Sequence, residues 1–313
     1  MIEALNAGVA LLILALAAFA IIARDLFAAA VGFIAYGLLL TLVWVQLQGL
    51  DVALIEGAVG GGLTGALMIN AASRLRQTEA AVRGERPGAP ARMLALLLSA
   101  MVAAALAACV LALPAPAPTL APQVAANMVA TGVGNPVTAV LLAFRAMDTL
   151  LEAIVLIFAL IGVWSLAPDR VWGGRPGGRY DADPDGILAY VARILPPIGI
   201  IVGIYIFWVG ADHPGGKFQG ATILAAMWLL AARAGLTDAP PISRAWLRVA
   251  LVAGPVVFIA IGLAGAFTGG AFLAYPKGYA KPLILAIEWA LMPSLALTLA
   301  LLLAGAPQRP AAP

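Results

Sequence analysis

The chain has 313 residues, of which 63% are hydrophobic and only 11% are charged, and its formal net charge is +3. Soluble globular proteins are roughly 45–50% apolar and about 25% charged, so this composition excludes a soluble domain. A single cysteine, Cys109, and a single histidine, His213, exclude a disulfide framework, an iron–sulfur cluster and a histidine-based metal site. We therefore expect an all-α integral membrane protein without a cofactor or a metal ion, and with no affinity for nucleic acid.

Nine apolar runs predict nine transmembrane helices, because about 20 residues cross the ~30 Å hydrocarbon core of a bilayer. We place these helices at 4–23, 27–47, 52–72, 92–113, 147–166, 187–209, 217–235, 246–267 and 281–304. Before the fifth run, the uncharged, Pro- and Ala-rich segment 114–134 predicts an exposed loop at the membrane surface. The next segment, 135–146, predicts an amphipathic or half-inserted helix that leads into the fifth span.

The distribution of Lys and Arg predicts the orientation. If 73–91 is cytoplasmic, fourteen of the 18 basic residues lie on the cytoplasmic side, and Lys217, Lys277 and Lys281 lie on the other, with Arg145 ambiguous. This asymmetry requires an odd number of spans, with the N-terminus outside and the C-terminus in the cytoplasm.

The polar, turn-rich stretch 167–186 predicts a boundary between two membrane modules. We expect a five-helix module at 1–168, a cytoplasmic linker at 169–186 and a four-helix module at 187–313.

Groups suited to catalysis are scarce. The segment 210–218 has the composition of a phosphate-binding loop, but its glycine spacing is wrong and no Ser or Thr follows Lys217. His213 lies in a turn with no candidate nucleophile beside it. We expect no catalytic residue and no enzymatic activity of the chain by itself.

Carboxylates inside the apolar runs are the candidate functional groups, because a charge at membrane depth is costly. Glu56 lies about one turn inside the third span and is followed by a dense set of glycines, namely Gly57, Gly60, Gly61, Gly62 and Gly65. Such a helix permits close packing, a local π-bulge or a kink, and each of these can open or close a water path. The alternative is that Glu56 reaches the outer interface and the glycines only pack.

Two further sets of charges are candidates. Arg145, Asp148 and Glu152 are spaced to share one helical face at the entry to the fifth span, where they form either a proton relay or a structural ion-pair ladder. Glu288, inside the ninth span, is part of a proton or sodium path or a buried partner for a neighbouring subunit. The more exposed acids Asp25 and Asp51 are expected to cap helices.

Several strings resemble known membrane proteins. The stretches Ala23–Ala29 and Asp51–Gly60 resemble the small D-type component of membrane-bound hydrogenases, a module also found at the C-terminal end of the large A-type component of Mrp-type sodium/proton antiporters. Asn135–Glu152 resembles the hydrogenase E-type component, and the D and E modules together correspond to the five-helix J-type component of complex I. The strings at 210–220 and 269–273 resemble the B-type component of Mrp antiporters.

Two positions depart from the family pattern: Leu151 stands where a glycine commonly precedes the glutamate, and Lys217 stands in a glycine turn that is usually uncharged.

The resemblance implies an accessory subunit of an ion-translocating complex in the bacterial inner membrane, with ion transport, sodium transport and proton antiport as its context. Its partners would be large antiporter-like subunits, a small K-type subunit, the lipid bilayer, sodium ions and protons. By the same resemblance, Glu56 and Glu152 would be relay carboxylates, and Arg145 and Asp148 would tune Glu152. The alternatives are a membrane-arm subunit of a redox-driven, hydrogenase-type complex, a stand-alone secondary carrier and a purely structural scaffold.

Overall fold

The computed structural model describes residues 2–82, 88–177 and 183–307. Over these residues the chain is an all-α membrane protein, as predicted. Eight of the described helices are long and apolar enough to cross a membrane, or nine if one sharply bent pair forms a single span. The orientation of the termini stays a prediction.

The first half begins with four α-helices, which end at Val82, and a π-helical segment interrupts the third span. They are α1 (Ile2–Ile22), α2 (Leu26–Gln46), α3 (Leu50–Ile55), the first π segment (Glu56–Leu63) and α4 (Thr64–Val82). The chain continues with α5 (Ala89–Leu111), α6 (Ala121–Thr131), α7 (Pro136–Ala139), the second π segment (Val140–Phe144) and α8 (Ala146–Ser165).

The second half contains four long helices after a short 3₁₀ turn at Asp169–Val171. They are α9 (Ile187–Val209), α10 (Lys217–Arg233), α11 (Ala245–Gly269) and α12 (Ala280–Ala304). With 17 residues, α10 is not among the eight helices described above, so the predicted span at 217–235 is not one of the candidate spans.

The prediction that segment 114–134 is an exposed loop is wrong in part, because this segment contains the helix α6. Proline in the first turn and Gly132 in the left-handed conformation (φ 70°) at the C-terminus supply the two end signals of a helix. The alanines between them have high helix propensity. The segment Pro136–Phe144 then turns away from α6 by 86°.

Asp25 caps α2 as predicted, since its carboxylate accepts from the backbone N–H of Ala28 at 3.0 Å. Asp51 is not the cap that the sequence suggested. Gly49 is the N-cap residue of α3, and the Asp51 carboxylate instead accepts hydrogen bonds from two distant segments of the chain.

The helix breaks at Arg145, whose φ and ψ are −131° and 37°. Arg145 therefore precedes α8 and does not share a regular helical face with Asp148 and Glu152. The prediction that these three residues line one helical face is wrong for Arg145. The break frees backbone carbonyls that must be satisfied at membrane depth. Thr149 Oγ1 donates to the Leu141 carbonyl at 2.6 Å, and Tyr275 Oη donates to the Leu142 carbonyl at 2.7 Å.

The loops meet at two ends of the helix bundle. At one end, backbone N–H groups of Gly134 and Asn135 donate to the carbonyl of Ala211 at 3.0 Å. At the other end, Ile242 N–H donates to the Gly174 carbonyl at 3.0 Å, and Gly177 N–H donates to the Ala306 carbonyl at 3.3 Å. Neighbouring helices thus run in alternating directions, as expected for a multi-span bundle.

The largest core cluster combines helices from both halves of the chain. Its buried members include Leu142 and Leu150 from the α7–α8 region, and Phe258, Ile287 and Leu291 from α11 and α12. A second contact joins Leu63 of the first π segment to α10 and α12. Over the described residues, α1 and α5 contribute nothing to these cores, since no residue of their spanning stretches is buried in the single chain.

Candidate functional site

The loop 210–216 has a backbone geometry that only glycine adopts readily. Gly215 and Gly216 have φ values of 150° and 147°. The Gly216 N–H donates back to the Ile206 carbonyl of α9 at 3.1 Å. A side chain at Gly210 would meet the Gly216 backbone at 2.6 Å, so the loop closes tightly. This closure places the start of α10 in the interior.

The loop is also tied to the first half of the chain. Asp51 Oδ1 accepts from Gly215 N–H at 3.0 Å and from Asn135 Nδ2 at 3.2 Å. Asn135 Nδ2 also donates to the carbonyls of Gly210 and His213, at 3.2 and 2.9 Å. Residues far apart in sequence therefore form one polar network that covers the start of α10.

Lys217, the first residue of α10, is buried and faces Glu288 of α12. The side chains of both residues are only 3% exposed, and Lys217 Nζ lies 3.8 Å from Glu288 Oε1. The other carboxylate oxygen, Oε2, is buried and has no hydrogen-bond partner. Glu288 lies roughly 12 Å along α12 from its first residue, so the pair is well inside the bundle.

Glu152 of α8 is exposed in the single chain. We call Glu152, Lys217 and Glu288 the charge cluster, of which only Lys217 and Glu288 are buried. The charge of Lys217 acts on both carboxylates. Aromatic side chains pack beside the cluster, with Trp289 and Phe207 in an edge-to-face contact at 4.8 Å between ring centroids. Of the predicted candidates, Glu288 therefore pairs with Lys217, whereas Glu152 lies at longer range from the same ammonium group.

Glu56 lies in a different contact, at the start of the first π segment. A methyl group added at Gly60 would lie 2.5 Å from Glu56 Oε1, and one added at Gly37 of α2 would lie 3.4 Å from it. The carboxyl group is thus turned toward α2, over glycine backbone. Gly57, Gly60, Gly61 and Gly62 all fall within the π segment, and Gly65 follows in α4. Of the close packing, π-bulge and kink that the glycines permit, the structure shows the π-bulge, together with close packing of Gly61 against Gly37 of α2.

Arg145 and Asp148 form an ion pair at 2.7 Å, but on an outer face of the chain. Their side chains are 70% and 53% exposed. The predicted role of these two residues in tuning Glu152 stays a prediction.

An exposed ion pair lies at the end of the bundle that contains the loop 210–216. Lys281 Nζ donates to both carboxylate oxygens of Asp212 at 2.8 Å, and Gly134 N–H donates to Oδ1 at 2.9 Å. The hydrogen bond from Lys281 lowers the pKa of Asp212 below the usual carboxyl value. This ion pair and the Asp51 network both bind the loop that precedes Lys217.

Lys217 is the site residue that the sequence reasoning missed. Counting it among the basic residues of an outer loop treated it as an exposed topology signal. The available signal was its position directly after Gly215-Gly216 and at the first residue of a predicted span. Among the described residues, no group of three or more His, Cys, Asp or Glu side chains is arranged to hold a metal ion.

Two family models match separate stretches of the chain. Residues 11–77 match the family model for the D component of membrane-bound hydrogenase. Residues 187–306 match the model for a domain related to the MnhB subunit of Na⁺/H⁺ antiporters. An uncharacterised protein of Methanocaldococcus jannaschii is 26% identical over 156 residues, which is 45% of this chain and 60% of that protein.

Two solved structures share the fold. A chain of the Mrp complex from Dietzia sp. DQ12-45-1b superposes with a TM-score of 0.71 and 23% identity over 97% of this chain and 35% of that one. A chain of the archaeal membrane-bound sulfane sulfur reductase superposes with a TM-score of 0.53 and 22% identity, over 67% of this chain and 95% of that one. The protein thus spans 60% of its curated relative and about a third of the Mrp chain.

The fold, with its eight candidate spans over the described residues, defines a multi-span all-α membrane protein. The two family models identify it further as a membrane subunit of the Mrp and membrane-bound hydrogenase type, with a D module followed by a B module. The predicted family is therefore confirmed.

Proposed function

We propose that this chain is an accessory, ion-pathway-forming subunit of an Mrp-type monovalent cation (sodium)/proton antiporter or of a related complex I-like, ion-translocating complex. It acts in the bacterial inner membrane and has no catalytic activity of its own. The observation that carries the proposal is the buried Lys217–Glu288 pair, because α10 and α12 together bury one ammonium group and one carboxylate inside the bundle, with the exposed Glu152 of α8 within electrostatic range of Lys217. Ionisable groups at that depth are expensive to maintain and are characteristic of ion and proton routes.

The arrangement gives each group a role in moving charge. Glu152 and Glu288 accept or release protons, and Lys217 stabilises whichever carboxylate is ionised. Glu56 forms a second proton-accepting position beside the first π segment, which packs against α10. A π segment is a bistable element of a helix, and its conversion to regular α-helix would move Glu56 relative to α2.

Partner subunits are proposed from the faces that the chain leaves uncovered. No residue of the spanning stretches of α1 and α5 is buried, and the Arg145–Asp148 pair is exposed at the start of α8. A charged pair near the membrane is costly against lipid tails, so we propose that this face contacts a polar surface of another subunit. Large antiporter-like subunits and a small K-type subunit are the proposed neighbours.

Ion exchange by the assembled complex in liposomes tests the proposal. We expect Glu288→Gln, Glu152→Gln and Glu56→Gln each to lower the exchange rate by about an order of magnitude, since loss of a proton acceptor raises the barrier along the route. Asp169→Asn, in the 3₁₀ turn away from the cluster, is the matched control and should leave the rate unchanged. Wild-type rates in all three glutamine variants would favour the purely structural scaffold.

Two measurements separate the remaining alternatives. Exchange catalysed by the purified chain alone would establish a stand-alone carrier in place of an accessory role. Co-purification with proteins that carry iron–sulfur or nickel centres would assign the chain to a redox-driven complex, and a chain of an archaeal respiratory membrane complex shares this fold.

A further inference from the structure

An apolar groove lies on α10 between α9 and α12. Both of these helices pack against α10, and the groove has a volume of about 530 Å³, within the range of ligand-binding cavities. Its lining residues are all apolar or aromatic, so its occupant must be apolar where it contacts them. They include Pro196, Ile200 and Ile204 of α9, Met227 and Trp228 of α10, and Trp289 of α12.

One end of the groove is closed by aromatic side chains. Ile204 is the last residue of α9 that lines it. About one turn further along α9, the rings of Phe207 and Trp208 contact Trp289 of α12, at 4.8 and 6.1 Å between centroids. A helix of another subunit that crosses the whole membrane would have to pass this barrier. The groove therefore suits an apolar chain that ends inside the membrane, such as one acyl chain of a lipid.

Arg193 lies toward the other end, on the same face of α9. It precedes Pro196, Ile200 and Ile204 by three, seven and eleven residues, and this spacing places all four on one side of the helix. Arg193 is exposed, and its Nη2 donates to the Pro184 carbonyl at 3.2 Å. Because a guanidinium group has five N–H donors, Arg193 can also donate to the oxygens of a phosphate group.

The distance between the two ends matches a lipid of one leaflet. The eleven residues from Arg193 to Ile204 correspond to ~16 Å of α-helix, and half of the ~30 Å hydrocarbon core is ~15 Å. A phosphate group bound by Arg193 would therefore place an acyl chain along the groove as far as its aromatic end.

We infer that this groove is a phospholipid site, in which Arg193 binds the phosphate group and one acyl chain lies between α9 and α12 on α10. The combination of an apolar groove closed inside the membrane and a cation at its other end carries the inference. It concerns the lipid-facing side of the second module and does not depend on the proposed function.

Photochemical labelling of the full-length chain, in the complex with which it purifies, tests the inference. The complex is delipidated in a maltoside detergent, which has no phosphate group. One sample receives phosphatidylglycerol with a diazirine near the end of one acyl chain, and a second receives diacylglycerol with the same acyl chains. After illumination, labelled residues are identified by mass spectrometry of peptides. We expect phosphatidylglycerol to label Met227 and Trp228 about tenfold more than diacylglycerol, because only the former has a charged group for Arg193.

Four variants locate the two parts of the site. Arg193→Gln should lower labelling of α10 by phosphatidylglycerol about tenfold and leave labelling by diacylglycerol unchanged. Arg244→Gln, which removes an exposed arginine at the start of α11, is the matched control and should change neither. Ile200→Trp fills the groove and should lower labelling by both probes, whereas Ile201→Trp, at the neighbouring exposed position, should lower neither.

Two results would overturn the inference. Equal labelling of α10 by the two probes, or by phosphatidylglycerol in the wild type and in Arg193→Gln, would show that the groove holds any apolar chain without recognition of a phosphate group. Label on outward residues such as Ile201 but none on α10 would show that another subunit fills the groove. Ion exchange is measured separately, so either result would leave the proposed function standing, and loss of the proposed function would leave the labelling pattern unchanged.

Discussion

At the scale of single residues, the chain concentrates its buried charge in one place. Lys217 and Glu288 are opposite charges with 3% exposure each, and Glu152 lies within range of the same ammonium group. Lys217 Nζ also lies over the Phe218 ring, 5.7 Å from its centroid, within the range of a cation–π contact. In such a group the loss of one member leaves the charge of another unbalanced, and that unbalanced charge sets the energetic consequences of substitution.

We expect Glu288→Gln to lower the free energy of unfolding by about 3 kcal/mol, the lower part of the range for breaking a buried ion pair, because Glu152 still faces Lys217. Thermal denaturation of the purified chain measures the effect. The double variant Lys217→Met/Glu288→Gln removes both charges and should recover most of the lost Tm. If the double variant is no more stable than the single one, the cost arises from packing rather than from charge.

The Asp212–Lys281 pair is expected to make a pH-dependent contribution to stability. Because the pKa of Asp212 is lowered in the folded chain, the contribution is complete above the usual carboxyl pKa of about 4 and is lost as the pH falls through the lowered value. Both side chains are more than a third exposed, so the contribution is at most about 1 kcal/mol.

The comparison of wild type with Asp212→Asn measures this contribution. The wild type should be the more stable at neutral pH, and the difference in Tm should shrink as the pH falls below 4 and the Asp212 carboxylate takes up a proton. A difference that persists unchanged in acid would show that the asparagine perturbs the loop in some other way.

At the scale of elements, the first π segment depends on the close approach of α2. A side chain at Gly37 would meet backbone atoms of Gly61 at 3.1 and 3.2 Å, which is tighter than nearly all real contacts of this kind. The backbone of a π segment cannot yield as the end of a flexible side chain does. Glycine at position 37 is therefore required by the packing of α2 on the π segment.

We expect Gly37→Ala to lower the free energy of unfolding by about 1–3 kcal/mol through overpacking of this contact. Gly61→Ala is the matched control on the opposite side, because its methyl group would meet neighbouring atoms only at 3.7 Å or more. We expect a lower Tm for Gly37→Ala than for Gly61→Ala. Equal Tm values would show that α2 and the π segment can move apart without loss of stability.

At the scale of the whole molecule, a polar network joins the two family modules. Asp51 belongs to the region that matches the hydrogenase D module, and Gly215 belongs to the region that matches the MnhB-related domain. Asn135 lies between these regions in sequence and donates to both Asp51 and the Gly210 carbonyl. The start of α10, and with it Lys217, is therefore positioned by residues of the preceding module.

We expect Asp51→Ala to lower the free energy of unfolding by about 1–3 kcal/mol, because Gly215 N–H and Asn135 lose their acceptor in a covered site. Asp51→Asn, which keeps an oxygen at the same position, should retain much of that stability. In the assembled complex, Asp51→Ala should also lower ion exchange by displacing Lys217. Full exchange in Asp51→Ala would show that the loop 210–216 is positioned without this network.

The sequence by itself determined the membrane class, the approximate helices and the family. Runs of about 20 apolar residues have one stable solution in a bilayer, since only a helix satisfies all its backbone groups internally. The glycines after Glu56 restricted that segment to a few conformations, and the π-bulge was among them. Asp25 as a helix cap followed from local chemistry, because the group that it binds is three residues away.

Only the tertiary structure decided which charges meet. Lys217 and Glu288 are separated by 71 positions, as the numbering of their ion pair shows, and no local pattern indicates that a glycine loop carries the lysine inward. The same holds for Asp51, whose partners lie 84 and 164 residues away. Apolar periodicity fixes helices one at a time, whereas the partner of a buried charge depends on how those helices pack. The site therefore became visible only once the bundle was assembled.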